Sequence, residues 1–272
     1  MTKKKPNKKA NMSPDFNKYV YYEKAVQNPS NEVEFFNEKF KEIRKREPKT
    51  LREDFCGTAA ISCAWVDQSP EHFAYGVDLD PEPVEYGKEN HYARLDAETQ
   101  TRMKYILGNV LDTPGEKTDI TFAFNFSYMI FKERSILLNY FKKAYESLKD
   151  DGVFFLDLFG GPDSQTEMTD VIEHKGFKYY WECMEFNPIN NHCTFGIHFK
   201  RKGEKKRKEV FTYEWRLWSL PELRDLLVEA GFKTTIAYWE GDDEDGGGNG
   251  EFYQTETAEN CDAWVTYIAA VK

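Results

Sequence analysis

Between residues 50 and 158, short strand-like runs alternate with segments of helical period, and several of these runs are apolar throughout. A strand solvated on one face alternates apolar and polar side chains. A strand covered by helices on both faces does not need to. The run at 120–126 is nearly continuous in this sense. The pattern predicts an open, mainly parallel α/β sheet with right-handed crossovers. Strands are expected at 50–55, 73–79, 103–107, 120–126 and 153–158. Helices are expected at 58–67, from Pro81 onward, and at 133–148, where Leu138, Phe141, Tyr145 and Leu148 share a face.

The flanking segments read differently. Residues 1–17 are polar and Lys-rich, and are expected to be a disordered basic tail. Tyr19, Tyr21 and Tyr22 open a short aromatic segment. Asn31 can cap a helix with Glu34 at its third position, and Val33, Phe36, Phe40 and Ile43 follow at helical spacing. After Gly160-Gly161-Pro162, aromatic-rich runs at 177–186, 194–200 and 209–217 read as antiparallel strands, with a hairpin turn at Lys202-Gly203-Glu204. Ser219 and Glu222 form a capping box. The helix they start carries Leu223, Leu226, Leu227 and Ala230, and Gly231 stops it. Strands at 232–239 and 263–271 flank a Gly- and Asp-rich loop at 241–250. The expected architecture is a doubly wound, Rossmann-like seven-stranded sheet with an antiparallel last strand, plus a small antiparallel β cap inserted after strand five. The core would span 18–160 and 219–272, and the cap 161–218.

Composition narrows the function classes. Asp and Glu number 47 against 37 Lys and Arg, for a net charge of −10, which disfavours binding of nucleic acid through the whole surface. The five cysteines are scattered and form no CxxC, so neither a zinc site nor a disulfide framework is expected, and no metal site. No apolar segment of ~18 residues offers a membrane span. No apolar stretch follows the basic start, so no secretory signal is expected. The expected compartment is the cytoplasm, and the expected state a monomer or a homodimer.

Ligands of open parallel sheets bind at the carboxyl ends of the strands, where strand order reverses. The first turn, Cys56-Gly57-Thr58-Ala59, is small at its centre, so backbone can approach a ligand closely. The second strand ends in Asp78, roughly 20 residues beyond Gly57, where a carboxylate can accept from ribose hydroxyls. Together they point to an adenosine-like ligand. A dinucleotide fingerprint is absent, because Phe55 and Cys56 fill the space a pyrophosphate needs, and there is no P-loop.

On these motifs the chain resembles the class I S-adenosylmethionine-dependent methyltransferases, over about 50–158 and again over 219–271. Residues 51–59 are similar to the family's first motif, an acidic residue followed by GxGxG. Glu53 takes the acidic position and Gly57 the central glycine, while Phe55 and Ala59 stand where the other two glycines usually sit. Tyr75-Gly76-Val77-Asp78-Leu79-Asp80 matches the second motif, and Gly108-Asn109-Val110 the third. Phe124-Asn125-Phe126-Ser127-Tyr128 occupies the fourth, and 223–232 resembles the family's last helix and its exit. The resemblance implies S-adenosylmethionine as cofactor and S-adenosylhomocysteine as product. It places Glu53, Phe55, Cys56, Gly57 and Ala59 at the first turn, Asp78 and Leu79 at the ribose, and Asn109 and Val110 at the adenine. Asn125, Phe126 and Ser127 complete the site, with Tyr22 as a further aromatic candidate near the sulfonium.

Methyl transfer from a sulfonium is an in-line displacement that mainly needs alignment and exclusion of water. A general base, if used, is expected to be Tyr128, His192 or His198. The cluster Trp215-Arg216-Leu217-Trp218 is a candidate wall for the acceptor. The leading expectation is transfer to nitrogen or oxygen of a small-molecule acceptor. An RNA or protein methyltransferase is the alternative, motivated by the basic tail and the basic tip at 200–208, with nucleic acid the less favoured partner. A non-catalytic adenosine-binding module ranks third.

Overall fold

The structure is a computed structural model that describes residues 16–113, 115–242 and 247–272. Two helices, α1 (Lys18–Val26) and α2 (Pro29–Arg44), precede the alternating region. Then follow β1 (Thr50–Asp54), α3 (Ala60–Gln68), β2 (Phe73–Asp78), α4 (Pro81–Asn90), the short α5 (Ala97–Gln100), β3 (Met103–Leu107), β4 (Thr118–Ala123), α6 (Arg134–Ser147) and β5 (Leu148–Gly160). The cap holds β6 (Thr169–His174), β7 (Phe177–Asn187), β8 (His192–Arg201) and β9 (Arg207–Arg216). The chain then returns through α7 (Leu220–Ala230), β10 (Thr234–Asp242), β11 (Gly248–Gln254) and β12 (Trp264–Val271).

The main sheet runs β11-β10-β12-β5-β4-β1-β2-β3. The five strands from β3 to β5 are parallel, and β12 lies antiparallel between β5 and β10. Strand order reverses at β1, whose neighbours are β2 and β4. The expected Rossmann-like sheet is present with one strand more than the seven anticipated. The extra strand is β11, which pairs with β10 at Tyr238↔Gln254 over part of the segment read as a loop. The cap is a separate sheet, β6-β7-β8-β9, with β6 as an additional edge.

Both faces of the main sheet are covered. Phe141, Leu226 and Leu227, from α6 and α7, pack on one side. Phe36, Phe40, Ile61 and Trp65, from α2 and α3, pack on the other. Each such fully buried ring contributes about 1.5–3 kcal/mol. The Ser219 capping box and the left-handed Gly231 stop form as read.

Two boundaries differ from expectation. Helix α2 starts at Pro29 rather than after Asn31, because a proline's fixed φ suits the first helical turn. Phe16 and Asn17 belong to the folded unit: the Phe16 ring stacks on Tyr21 at 4.9 Å, and the Asn17 side chain accepts from Tyr19 N at 3.0 Å, capping α1. The remainder of the expected tail, 1–15, and the acidic run at 243–245 lie outside the described residues.

Candidate functional site

The turn after β1 has an unusual backbone. Phe55, Gly57 and Ala59 have φ of 58°, 52° and 53°, so all three positions where the motif favours glycine are left-handed. The Phe55 ring packs against Phe131 and Tyr140, at 5.9 and 5.6 Å. Ala59 is fully buried. The turn is gripped from outside by two other glycines. A Cβ on Gly76 would stand 3.0 Å from Cys56 Sγ, and one on Gly87, in α4, 2.0 Å from the Thr58 carbonyl oxygen.

Asp78 joins this turn to the end of β2. One carboxylate oxygen accepts from Gly57 N at 2.7 Å and the other from Asp80 N at 2.8 Å. Burial pushes its pKa up, against those backbone donors. Each oxygen keeps a further lone pair for a ligand hydroxyl. The Asp78 carbonyl in turn accepts from Gly108 N at 2.8 Å, which brings the Asn109 turn alongside. Glu53 is tied to α3: it accepts from Ser62 N and Ser62 Oγ, at 3.0 and 2.5 Å, and burial pushes it up to about 8.

The loop after β4 holds a second strained segment. Asn125 and Phe126 both have φ of 57°. Their N–H groups donate to the two carboxylate oxygens of Asp157, at 2.7 and 2.9 Å, which fixes the loop. Asp157 is buried in β5, and burial pushes it up to about 7. Sequence reasoning missed this residue. Its signal was an acid inside an otherwise apolar strand.

Two cavities open along the carboxyl ends of the strands. The smaller, about 270 Å³, is lined by Glu53, Phe55, Cys56, Gly57 and Asp78 and roofed by Lys18, Tyr19, Tyr22 and Gln27. Helix α1 is pinned over the turn by Glu23, which accepts from Thr58 Oγ1 at 2.9 Å and pairs with His91 Nε2 at 2.7 Å. The larger, about 550 Å³, lies under the cap between Phe159, Trp181, Trp215 and Trp264. Tyr22, Asn125 and Tyr213 line both cavities. A third space of about 740 Å³ adjoins Asn125 and Phe126 on the α2 side.

No family model and no curated protein matches the chain. Solved structures do. A S-adenosylmethionine-dependent methyltransferase from Clostridium acetobutylicum ATCC 824 is 17% identical, with TM-score 0.67 over 93% of this chain and 96% of that one. The amino pentose methyltransferase CalS10 from Micromonospora echinaspora is 12% identical, TM-score 0.64, over 94% and 98%. The sugar N-methyltransferase KedS8 from Streptoalloteichus sp ATCC 53650 is 15% identical, TM-score 0.61, over 98% of each. The fold is that of the S-adenosylmethionine-dependent methyltransferases.

Within this methyltransferase fold the anticipated residues separate. Tyr22, Glu53, Phe55, Cys56, Gly57, Asp78, Asn125 and Ser127 line the smaller cavity. Phe126 lines the larger one instead. Ala59 and Val110 are buried behind the turns, while Leu79 is 69% exposed at the open side. Asn109 uses its side-chain oxygen to accept from Leu111 N at 3.0 Å. Lys18, Tyr19 and Gln27 were missed, since α1 has no apolar stripe to announce a helix.

The three expected bases line none of these cavities. Tyr128 is fully buried, and its hydroxyl donates to the Asp157 carbonyl at 2.7 Å. Phe195 and Ile197 of β8 face the larger cavity, so His192 and His198, at even positions, face away. His198 is held at Nε2 by Glu182 at 2.7 Å and at Nδ1 by the Glu209 N–H at 2.6 Å, where β9 bulges. Trp218 stacks under Arg216 at 3.7 Å, whereas Trp215 does wall the larger cavity. Among the described residues no His, Cys, Asp and Glu cluster is arranged to hold a metal.

Proposed function

We propose that this chain is an S-adenosylmethionine-dependent methyltransferase acting on a nitrogen or oxygen atom of a small molecule held under the cap. The observation that carries the reading is the meeting of the two cavities at Tyr22, Asn125 and Tyr213. One cavity has the strand-end turn and acidic clamp suited to an adenosyl group. The other is a larger, aromatic cleft under the cap, suited to an organic acceptor.

The cofactor supplies an activated methyl on a sulfonium. The chain binds and aligns. Asp78 accepts from the ribose hydroxyls, the turn at Asn109 and Val110 lies alongside and could offer backbone groups to the adenine, and Gly57 lets the backbone close in. Gln27 Oε1, buried without a partner among the described residues in the wall of the smaller cavity, fits an ammonium donor such as the cofactor's amino group. Tyr22 and Phe55 offer ring faces to positive charge. Cap and α1 exclude water, which strengthens these interactions.

At the basic tip, three of the seven basic side chains have an acidic partner among the described residues. Arg201 and Arg207 both pair with Glu204, and Lys206 lies 3.8 Å from Glu182. We infer the cytoplasm as compartment, which the five free thiols support. No described helix is long and apolar enough to cross a membrane.

Asp78→Ala removes a charged acceptor whose hydrogen bonds are worth about 1.5–3 kcal/mol each. Calorimetric binding of S-adenosylmethionine is expected to fall by about a hundredfold or more, with the circular dichroism spectrum retained. Unchanged affinity refutes the site.

A further inference from the structure

The larger cavity carries a charge pattern that methyl transfer as such does not require. Asp163, Asp170, Glu240 and Asp242 line it, and no Lys, Arg or His is among its described lining residues. The acids form two like-charged pairs. Asp170 lies on the exposed edge strand β6, and partial desolvation, then the charge of Asp163, pushes its carboxyl up. Burial, then the charge of Asp242, pushes Glu240 up, against a hydrogen bond from Gly250 N at 3.1 Å. Among the described residues, no basic side chain pairs with any of the four.

The rest of the wall is aromatic. Tyr213 stacks on Trp215 at 4.6 Å, and Trp239 lies 4.9 Å from Trp264. Ring faces and carboxylates select the same ligand, a cation on an apolar body. An anion would meet a field of its own sign and none of the guanidinium or ammonium groups that hold phosphate.

We propose that the acceptor is a cationic amine, its body against the tryptophans and its ammonium against one of these two acidic pairs, rather than a phosphorylated or otherwise anionic molecule. This deepens the methyltransferase reading and rests on it for the role of acceptor, while the ligand class follows from the cavity. Transfer to such an amine balances. One ammonium proton passes to a cavity carboxylate and frees the nitrogen lone pair. That pair forms the new N–C bond as the S–C bond breaks with its electrons left on sulfur, and the positive charge moves from sulfur to nitrogen.

The test titrates the full chain, without cofactor, with benzyltrimethylammonium and with benzylphosphonate, following tryptophan fluorescence. The ammonium probe is expected to bind about tenfold tighter or more, and Asp170→Asn or Glu240→Gln, whichever pair holds the ammonium, is expected to weaken it roughly threefold to tenfold. Calorimetric affinity for S-adenosylmethionine is expected to stay unchanged in both variants. Equal affinity for the two probes, no binding of either at millimolar concentration, or unchanged ammonium affinity in both variants overturns the proposal. Neither probe accepts a methyl group, so these outcomes are separate from the Asp78 experiment, on which the methyltransferase reading stands or falls.

Discussion

At Gly57 a Cβ would meet nothing within 4 Å, in open space beside the smaller cavity. At Phe55 and Ala59, with nearly the same φ, the side chain has somewhere to go: one ring packs toward Tyr140, and one methyl is fully buried. This explains how the turn keeps three left-handed residues with glycine at only one of them. Left-handed residues cost roughly 1–2 kcal/mol each, and burial of the side chain can offset that cost only where there is core to bury it in. Gly57→Ala is therefore expected to destabilise the fold by about 1–2 kcal/mol in urea denaturation. It is also expected to weaken S-adenosylmethionine binding, because the new methyl stands where backbone must approach the ligand. A variant with wild-type stability and affinity contradicts this account. Asp78 was legible because an acid at the end of an apolar strand stands out. Asp157 has the same signature and went unread, since its partners are backbone N–H groups of a loop that only the fold brings near.

Helix α4 meets the turn at Gly87, where a Cβ would come within 2.0 Å of the Thr58 carbonyl. That carbonyl also accepts from Tyr105 OH at 3.2 Å, so it has little freedom to retreat. Gly87→Ala places a better helix former in α4 and is still expected to destabilise by about 1–3 kcal/mol, the usual cost of overpacking. A stabilised variant in urea denaturation shows that the close approach is not real. The parallel strands could be read because covering on both faces writes an apolar run. Edge strands carry no such run. Every residue of β6 except His174 is exposed, and β11 is mostly Gly and polar side chains, so both resemble loops until their partners β7 and β10 are in place. Helix α1 was unread for a related reason. Its tyrosines contact cap aromatics, as Tyr22 does Phe211 at 5.0 Å, rather than a single flat face of the sheet.

For the molecule as a whole, buried carboxyls set the response to pH. Glu53 is pushed up to about 8, and Asp157 and Glu32 to about 7, in each case chiefly by burial. An unfolded carboxyl titrates near 4. Between about pH 4 and 8 the native state thus holds protons that the unfolded state has lost, and stability falls as pH rises through that window. The melting temperature is expected to decline from pH 5 to pH 9 in scanning calorimetry, and Glu53→Gln to flatten the upper part of that decline. A melting temperature that rises with pH is the contrary result. The junction of the two cavities has a consequence of another kind. Under the proposed function, the group that receives the methyl has to reach the boundary that Tyr22, Asn125 and Tyr213 share between the two cavities. On that proposal, a polyfunctional acceptor is expected to be methylated at the group that reaches this boundary rather than at its strongest nucleophile in free solution.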